Sequence, residues 1–174
     1  MEPRDGRSTN LLTWLLVVTT GFEGLRAGAG TFRMLIDLPA RAQVGAVVFA
    51  DFSRATDLSP AGYIFYALYG IGGALLTCGT WIVAGRVRAP LVIRRLSALA
   101  SLCSLLVLGM TARAAPLMWR IGSESNNPEV LTGLLDRFVF WTNLRIVAAD
   151  LSFLAILSAL AYVALGVSHR AART

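Results

Sequence analysis

The sequence predicts an all-α integral membrane protein, a four-helix bundle with two longer outer connections. Three observations predict it: 56% of the 174 residues are apolar, only 15% are charged, and the mean hydropathy is +0.64. Soluble domains average about 45–50% apolar and about 25% charged residues. The composition therefore favours the lipid bilayer as the surroundings of this chain.

Four segments have the length and polarity of membrane-spanning helices. Crossing about 30 Å of hydrocarbon takes about 20 mostly apolar residues. The predicted spans are 10–33, 60–85, 96–112 and 140–166, and together they make residues 1–174 a single transmembrane domain. The two outer connections are expected to be long loops that contain apolar residues, either lids over a binding site or segments on the membrane surface.

Arginine placement predicts how the chain crosses the cell membrane. Eight arginines lie in the two tails and in the short turn between the second and third spans, whereas five lie in the longer outer connections. Because cytoplasmic loops are enriched in arginine, both termini are predicted to be cytoplasmic. The oligomeric state stays open, and a homo-oligomer is compatible with this topology.

The charged residues also exclude several classes of function. All 16 basic residues are arginines that interrupt apolar runs, so the net charge of +6 does not indicate a nucleic-acid partner. His169 is the only histidine, too few for the common haem, zinc and iron sites, and we expect no metal and no cofactor. Cys78 and Cys103 stand alone and are expected to be small core residues.

Charge inside the predicted spans is the most informative feature, and it falls on Glu23, Arg26, Arg145 and Asp150. A charge at the centre of a span costs roughly 2.5–3.5 kcal/mol, so such residues usually face a partner or a watery cavity. Arg26 and Asp150 come out at similar depths. We therefore expect an ion pair between them, or a network of both with Glu23, in a cavity open to the outer face. The alternative is that these charges only lock helix orientation.

Helical geometry groups these residues by face. On the first span, an arc of about 80° holds a polar stripe: Glu23, Arg26, Gly30 and Arg33. On the fourth span, Arg145 and Asp150 lie about 140° apart and cannot share a face, whereas Asn143 and Asp150 can. Small and hydroxyl residues form faces typical of helix packing on the second and third spans: Tyr66, Gly70, Gly73, Thr77, Ser97, Ser101, Ser104 and Thr111.

The stretch from Trp141 to Arg145 reads Trp-Thr-Asn-Leu-Arg. It resembles the last-helix signature of a group of small four-span membrane proteins that includes the anthrone oxygenases of polyketide pathways. Trp141 and Arg145 match, while Thr142 and Asn143 stand where the family often has Asn and His. The resemblance implies cofactor-independent oxidation of an electron-rich phenolic tricycle at its activated methylene. If the family's histidine acts as a base, another group must do so here.

The residues suited to such chemistry are the charges inside the spans. Glu23 or Asp150 would take a proton, and Arg26 or Arg145 would stabilise the resulting phenolate or carbanion. The partner would be a hydrophobic or phenolic small molecule. The expected substrate-binding residues, of which the aromatic ones stack on rings, are Trp141, Asn143, Tyr63 and Tyr66.

Two other functions fit the same pattern. A small transporter would use Glu23 to exchange protons for a lipophilic ligand, although Arg26 one turn away favours the charged carboxylate. A non-catalytic accessory subunit would dock another membrane protein on the polar stripe. A central cavity lined by Glu23, Arg26 and Arg145 favours an enzyme or a ligand-binding site, and a stripe on the bundle exterior favours the subunit.

Overall fold

A computed structural model describes residues 6–171, with side chains described from 10 to 166, and every element in that range is helical. Helix α1 is Gly6–Phe32, and a π-helical segment, Arg33–Asp37, joins it to α2, Leu38–Val44. The remaining helices are α3 (Ala46–Thr56), α4 (Pro60–Arg86), α5 (Leu91–Ser123) and α6 (Pro128–Ala171). The prediction of an all-α chain is confirmed.

Among the residues that the structure describes, three helices are long and apolar enough to cross a membrane, namely α4, α5 and the Pro128–Gly166 part of α6. Their outward faces carry large apolar side chains that are more than half exposed, among them Leu68, Leu75 and Leu154. Exposed apolar surface on this scale marks contact with lipid, and the chain is a membrane protein. Four spans were predicted, but α1 does not reach the same mean hydropathy as the other three helices, because it contains Glu23 and Arg26.

The four long helices pack as a ring, in which α1 contacts α4, α4 contacts α5, α5 contacts α6, and α6 closes onto α1. At one end of the ring, an apolar cluster brings together the start of α1, the end of α4, the start of α5 and the late part of α6. Helices α1 and α5 therefore run in one direction, and α4 and α6 run in the other.

The two outer connections are helical, which corrects the prediction that they are loops. Helix α5 continues to Ser123 and α6 starts at Pro128, so only residues 124–127 connect them. The other connection folds into the π-helical segment, α2 and α3. Of the apolar residues that suggested lids or membrane-surface segments, Met118 and Ile121 are buried in a second core and Val47 and Leu117 pack against it. The other four, Val44, Val48, Phe52 and Trp119, are exposed. The buried residues of the second core come from these connections and the ends of α5 and α6: Leu38, Phe49, Ala50, Ala114, Met118, Ile121, Leu131, Leu134, Leu135 and Phe138.

Candidate functional site

The inner cluster consists of Glu23, Arg26 and Ser104, at the centre of the ring. The side chains of Glu23 and Arg26 are 0% and 1% exposed. Arg26 Nη1 donates to Glu23 Oε1 at 3.0 Å and to Ser104 Oγ at 2.8 Å, and Ser104 Oγ donates to Glu23 Oε1 at 3.2 Å. Since α1 and α5 lie diagonally across the ring, these bonds cross its interior. The polar stripe therefore faces the inside of the bundle.

Glycine at position 73 of α4 makes room for the inner cluster. A Cβ at Gly73 would overlap the Arg26 guanidinium and would lie 2.8 Å from Glu23 Oε1. Even so, the cluster is not fully satisfied, because Glu23 Oε2, Arg26 Nε and Arg26 Nη2 are buried without a hydrogen-bond partner among the described residues. One carboxylate and one guanidinium nevertheless leave the cluster with no net charge.

Asp150 does not belong to the inner cluster, so the predicted ion pair between Arg26 and Asp150 is wrong. Both carboxylate oxygens of Asp150 instead accept hydrogen bonds from Thr31 Oγ1, at 3.3 Å each. Arg26 reaches into the ring towards α5, whereas half-buried Asp150 lies on the seam between α6 and α1. The alternative network of Arg26, Asp150 and Glu23 is likewise reduced to Glu23 and Arg26.

The prediction of this ion pair failed on the direction of the Asp150 side chain and not on its depth in the bundle. Two close contacts between α1 and α6 fix their register: a Cβ at Gly24 would lie 3.1 Å from Phe153, and one at Gly30 would lie 3.3 Å from Ile146. Asp150 lies midway between these two α6 positions, which puts it level with the inner cluster. Helical periodicity gives the depth of a side chain, but the rotation of each helix in the bundle depends on packing that a single sequence does not encode locally.

The outer cluster consists of Arg33, Asp57, Tyr66 and Arg145. Arg33 and Asp57 form a two-point ion pair, with Nη1 to Oδ1 at 2.8 Å and Nη2 to Oδ2 at 2.5 Å. The hydroxyl of Tyr66 donates to Asp57 Oδ1 at 2.8 Å and accepts from Arg33 Nη1. Both side chains of the ion pair are largely buried, with 15% of Arg33 and 7% of Asp57 exposed.

Asp57 reaches this cluster because the end of α3 packs closely against the start of α4. Ser59 caps α4 by accepting a hydrogen bond from the Gly62 backbone N–H at 3.0 Å, and Pro60 occupies the first turn. A Cβ at Gly62 would lie 2.5 Å from the Asp57 carbonyl oxygen, so only glycine permits this approach. Sequence reasoning missed Asp57, although it directly precedes this capping signal and an uncharged stretch that runs to Arg86.

Arg145 is the member of the outer cluster that has no anionic partner. Its side chain is 7% exposed, and its guanidinium forms no hydrogen bond or ion pair with any residue of the described part of the chain. The Arg145 guanidinium carbon lies 5.5 Å from the centre of the Tyr66 ring, and that of Arg33 lies 5.9 Å from the same centre. Two arginines and one carboxylate give the outer cluster an excess positive charge.

The Trp141–Arg145 stretch forms part of α6 and connects the outer cluster with the second core. Half-buried Trp141 packs on that core and meets the ring of Phe140 edge-on, while Arg145 enters the outer cluster. No family model, curated protein or solved structure matches this chain. The likeness to the anthrone-oxygenase family therefore rests on this stretch alone, and the contacts of Arg145 carry the functional argument.

Two further polar atoms on this part of α6 have unused hydrogen-bonding capacity. Thr142 Oγ1 and Asn143 Oδ1 are buried without a hydrogen-bond partner in the described range. The sequence predicts Asn143 as a substrate-binding residue and gives Thr142 no such role. A buried acceptor that lacks a donor costs about 1–3 kcal/mol, so each is a position where a ligand donor is favoured.

The structure brings Tyr66 to the cluster but leaves Tyr63 outside it, with 46% of the Tyr63 side chain exposed. Around the axis of α4, Tyr63 and Tyr69 lie about 60° to either side of Tyr66. Tyr69 lies on the side of α4 that faces α1. The Tyr69 hydroxyl donates to the Arg26 carbonyl oxygen at 2.5 Å.

Proposed function

We propose that this chain is a membrane protein that binds an anionic or phenolic small molecule against Arg145 and oxidises it without a cofactor. The observation that carries the proposal is the largely buried Arg145 side chain, whose guanidinium forms no hydrogen bond or ion pair in the described part of the chain. A buried charge without a partner is costly to keep. A phenolate or carboxylate oxygen would complete the site, because charge-assisted hydrogen bonds to a guanidinium are strong and directional.

Four spans are the topology that suits this site. Helix α1 has 27 residues and packs in the ring with the three apolar helices. It also exposes large apolar side chains on its outward face, with Trp14 at 67% and Leu25 at 79%. In this topology the bundle interior holds the charges of α1, and the arginine distribution favours cytoplasmic termini.

The substrate class comes from the resemblance of the Trp141–Arg145 stretch to anthrone oxygenases. In the proposed reaction, a base takes one proton from the activated methylene, and O₂ adds to the resulting carbanion to give a hydroperoxide. The second methylene hydrogen then leaves with the distal oxygen and a proton as water, so that CH₂ and O₂ become C=O and H₂O. Arg145 holds the phenolate oxygen and stabilises the negative charge on the ring system.

Of the two candidate bases, Asp150 has the weaker hydrogen bonds. It lies about 140° from Arg145 around α6, so it would act on a substrate that extends from the outer cluster to the seam between α6 and α1. Its only hydrogen bonds in the described range are the two long ones from Thr31, and it remains half-buried rather than enclosed. Glu23, in contrast, is held by Arg26 and Ser104 inside the ring. Tyr66 lies against Arg145 and Tyr69 against Arg26, and Trp141 lies one turn before Arg145 on α6, so these rings offer aromatic surface to a substrate. Asn143 offers an acceptor for a substrate hydroxyl.

The transporter and accessory-subunit alternatives have less support. A proton-exchanging carboxylate must be reached by protons during transport, but Glu23 is fully buried at the centre of the ring and held by Arg26 and Ser104. A docking subunit would present its polar stripe on the bundle exterior, and the stripe residues Glu23 and Arg26 are buried.

The test uses purified full-length protein in detergent and compares Arg145→Met with Arg137→Met, which removes an exposed arginine from the same helix. Binding of a hydroxylated anthraquinone is followed by its absorbance, and oxidation of the corresponding anthrone is followed under oxygen against the spontaneous rate. Loss of a charge-assisted hydrogen bond is worth about 1.5–3 kcal/mol, so we expect binding to weaken roughly tenfold or more in Arg145→Met.

Arg137→Met should bind and oxidise like the unaltered protein, and Asp150→Asn should bind the anthraquinone but lose the catalysed rate. Equal binding by Arg145→Met and Arg137→Met would contradict the ligand site. An unaltered protein that binds the anthraquinone yet leaves the anthrone at its spontaneous rate would reject the oxygenase activity and retain only binding.

A further inference from the structure

A groove lies between the end of α4 and the start of α5, at the opposite end of the bundle from the second core. It has a volume of about 340 Å³, is open to the surface, and is lined by Trp81, Ile82, Gly85, Arg86 and Arg94. Its polar lining consists of two exposed guanidinium groups, and its apolar lining consists of exposed Trp81 and Ile82. The groove is separate from both polar clusters.

The charge around this groove is entirely positive in the described helices that form it. Besides Arg86 and Arg94, the turn carries exposed Arg88 and Arg95, and the sequence has no acidic residue from position 58 to position 123. None of these four arginines forms an ion pair with a carboxylate of the described residues. The groove therefore favours an anion.

The turn is held in one conformation, so the groove is already formed. Arg88 adopts a left-handed conformation with φ of 49°, the Ala89 N–H donates to the Ala84 carbonyl at 3.0 Å, and the Arg88 N–H donates to the Gly85 carbonyl at 3.2 Å. These two bonds make a Schellman motif, which usually has glycine at the left-handed position. A preformed site binds with a smaller loss of conformational entropy.

An apolar track leads from the groove into the membrane-facing surface of α4. Ile71, Leu75 and Ile82 follow one another at helical spacing on the same side of α4, and each is about half or more exposed. Trp81 lies about 7.5 Å further towards the membrane centre than Arg86, the depth at which tryptophan meets the lipid ester region. A free phosphate would use the arginines but not this track.

We propose that the groove binds an anionic phospholipid. Its phosphate lies between Arg86 and Arg94, its glycerol esters lie at Trp81, and one acyl chain follows the track of Ile82, Leu75 and Ile71. The site is independent of the chemistry proposed at Arg145, because it is formed by the other end of the bundle.

The test compares two double variants of equal charge in the full-length protein. Arg86→Gln with Arg94→Gln removes the lining arginines, and Arg88→Gln with Arg95→Gln removes two arginines that do not line the groove. Delipidated protein in nonionic detergent is titrated with phosphatidylglycerol, phosphatidylcholine of the same chains, or inorganic phosphate. Bound lipid is counted by native mass spectrometry, and protection is measured as a shift in Tm.

The two lining arginines contact the phosphate directly by charge-assisted hydrogen bonds, so the lining double variant should weaken phosphatidylglycerol binding roughly tenfold or more. The other double variant should stay within about threefold of the unaltered protein. Gly85→Leu should also weaken binding without a change of charge, because a Cβ there meets nothing within 4 Å and the added side chain occupies the groove.

Three outcomes would overturn the proposal. Equal losses in the two double variants would assign the effect to general surface charge. Equal protection by phosphatidylcholine would remove the selectivity for an anionic lipid. Equal protection by inorganic phosphate, with no loss in Gly85→Leu, would leave a simple anion site in place of a lipid site.

Discussion

The inner and outer clusters each contain a buried arginine, but the two arginines differ in how many partners they have. Arg26 in the inner cluster is 1% exposed and forms hydrogen bonds with Glu23 and Ser104. Arg145 in the outer cluster is 7% exposed and forms no hydrogen bond or ion pair in the described part of the chain. The inner cluster is electrically neutral, and the outer cluster has two guanidinium groups for one carboxylate. The difference separates an arginine that holds the fold from one that is available to a ligand.

Burial alone does not make this distinction, since both side chains are more than nine-tenths buried. What differs is the number of partners that each guanidinium already has. A paired buried charge is costly to break, whereas an unpaired one is costly to keep. Substitution at the two positions should therefore have opposite effects on the free energy of unfolding.

The largest effect is expected from breaking the inner pair. Arg26→Met leaves the Glu23 carboxylate buried without its guanidinium, and removal of one partner from a buried pair costs about 3–5 kcal/mol. Glu23→Met combined with Arg26→Met should recover most of that loss, because an apolar replacement of both charges is often neutral or stabilising. Unfolding of both variants in detergent measures this, and a double variant as unstable as Arg26→Met would contradict the pairing.

A smaller loss is expected from Asp57→Asn in the outer cluster. The change leaves Arg33 charged without its carboxylate, and it should lower the free energy of unfolding by roughly 3 kcal/mol, because Arg33 keeps 15% exposure to solvent. The matched control is Asp51→Asn, which breaks the ion pair of a 57% exposed aspartate with Arg54 and should cost less than about 1 kcal/mol. Similar losses in the two variants would remove the distinction between a buried and a surface pair.

The sequence predicted the helical class and grouped the charges of the first span into one polar stripe, because both follow from composition and period. It allowed the stripe to face either the bundle interior or its exterior. It did not predict the Arg26–Ser104 bond or the ion pair of Arg33 with Asp57, since each joins residues from separate helices whose rotation depends on packing. The close approaches at Gly62 and Gly73 set these contacts, and a glycine in a sequence does not reveal what lies against it. The helices of the two outer connections were not predicted, because their apolar residues were assigned to loops or to the membrane surface.

The most direct test of the account is the stability of Arg145→Met measured beside Arg26→Met in the same detergent. Because Arg145 has no anionic partner to lose, its replacement should leave the free energy of unfolding unchanged or raise it, while Arg26→Met loses about 3–5 kcal/mol. A loss in Arg145→Met as large as that in Arg26→Met would contradict the claim that Arg145 is held without a partner for a ligand.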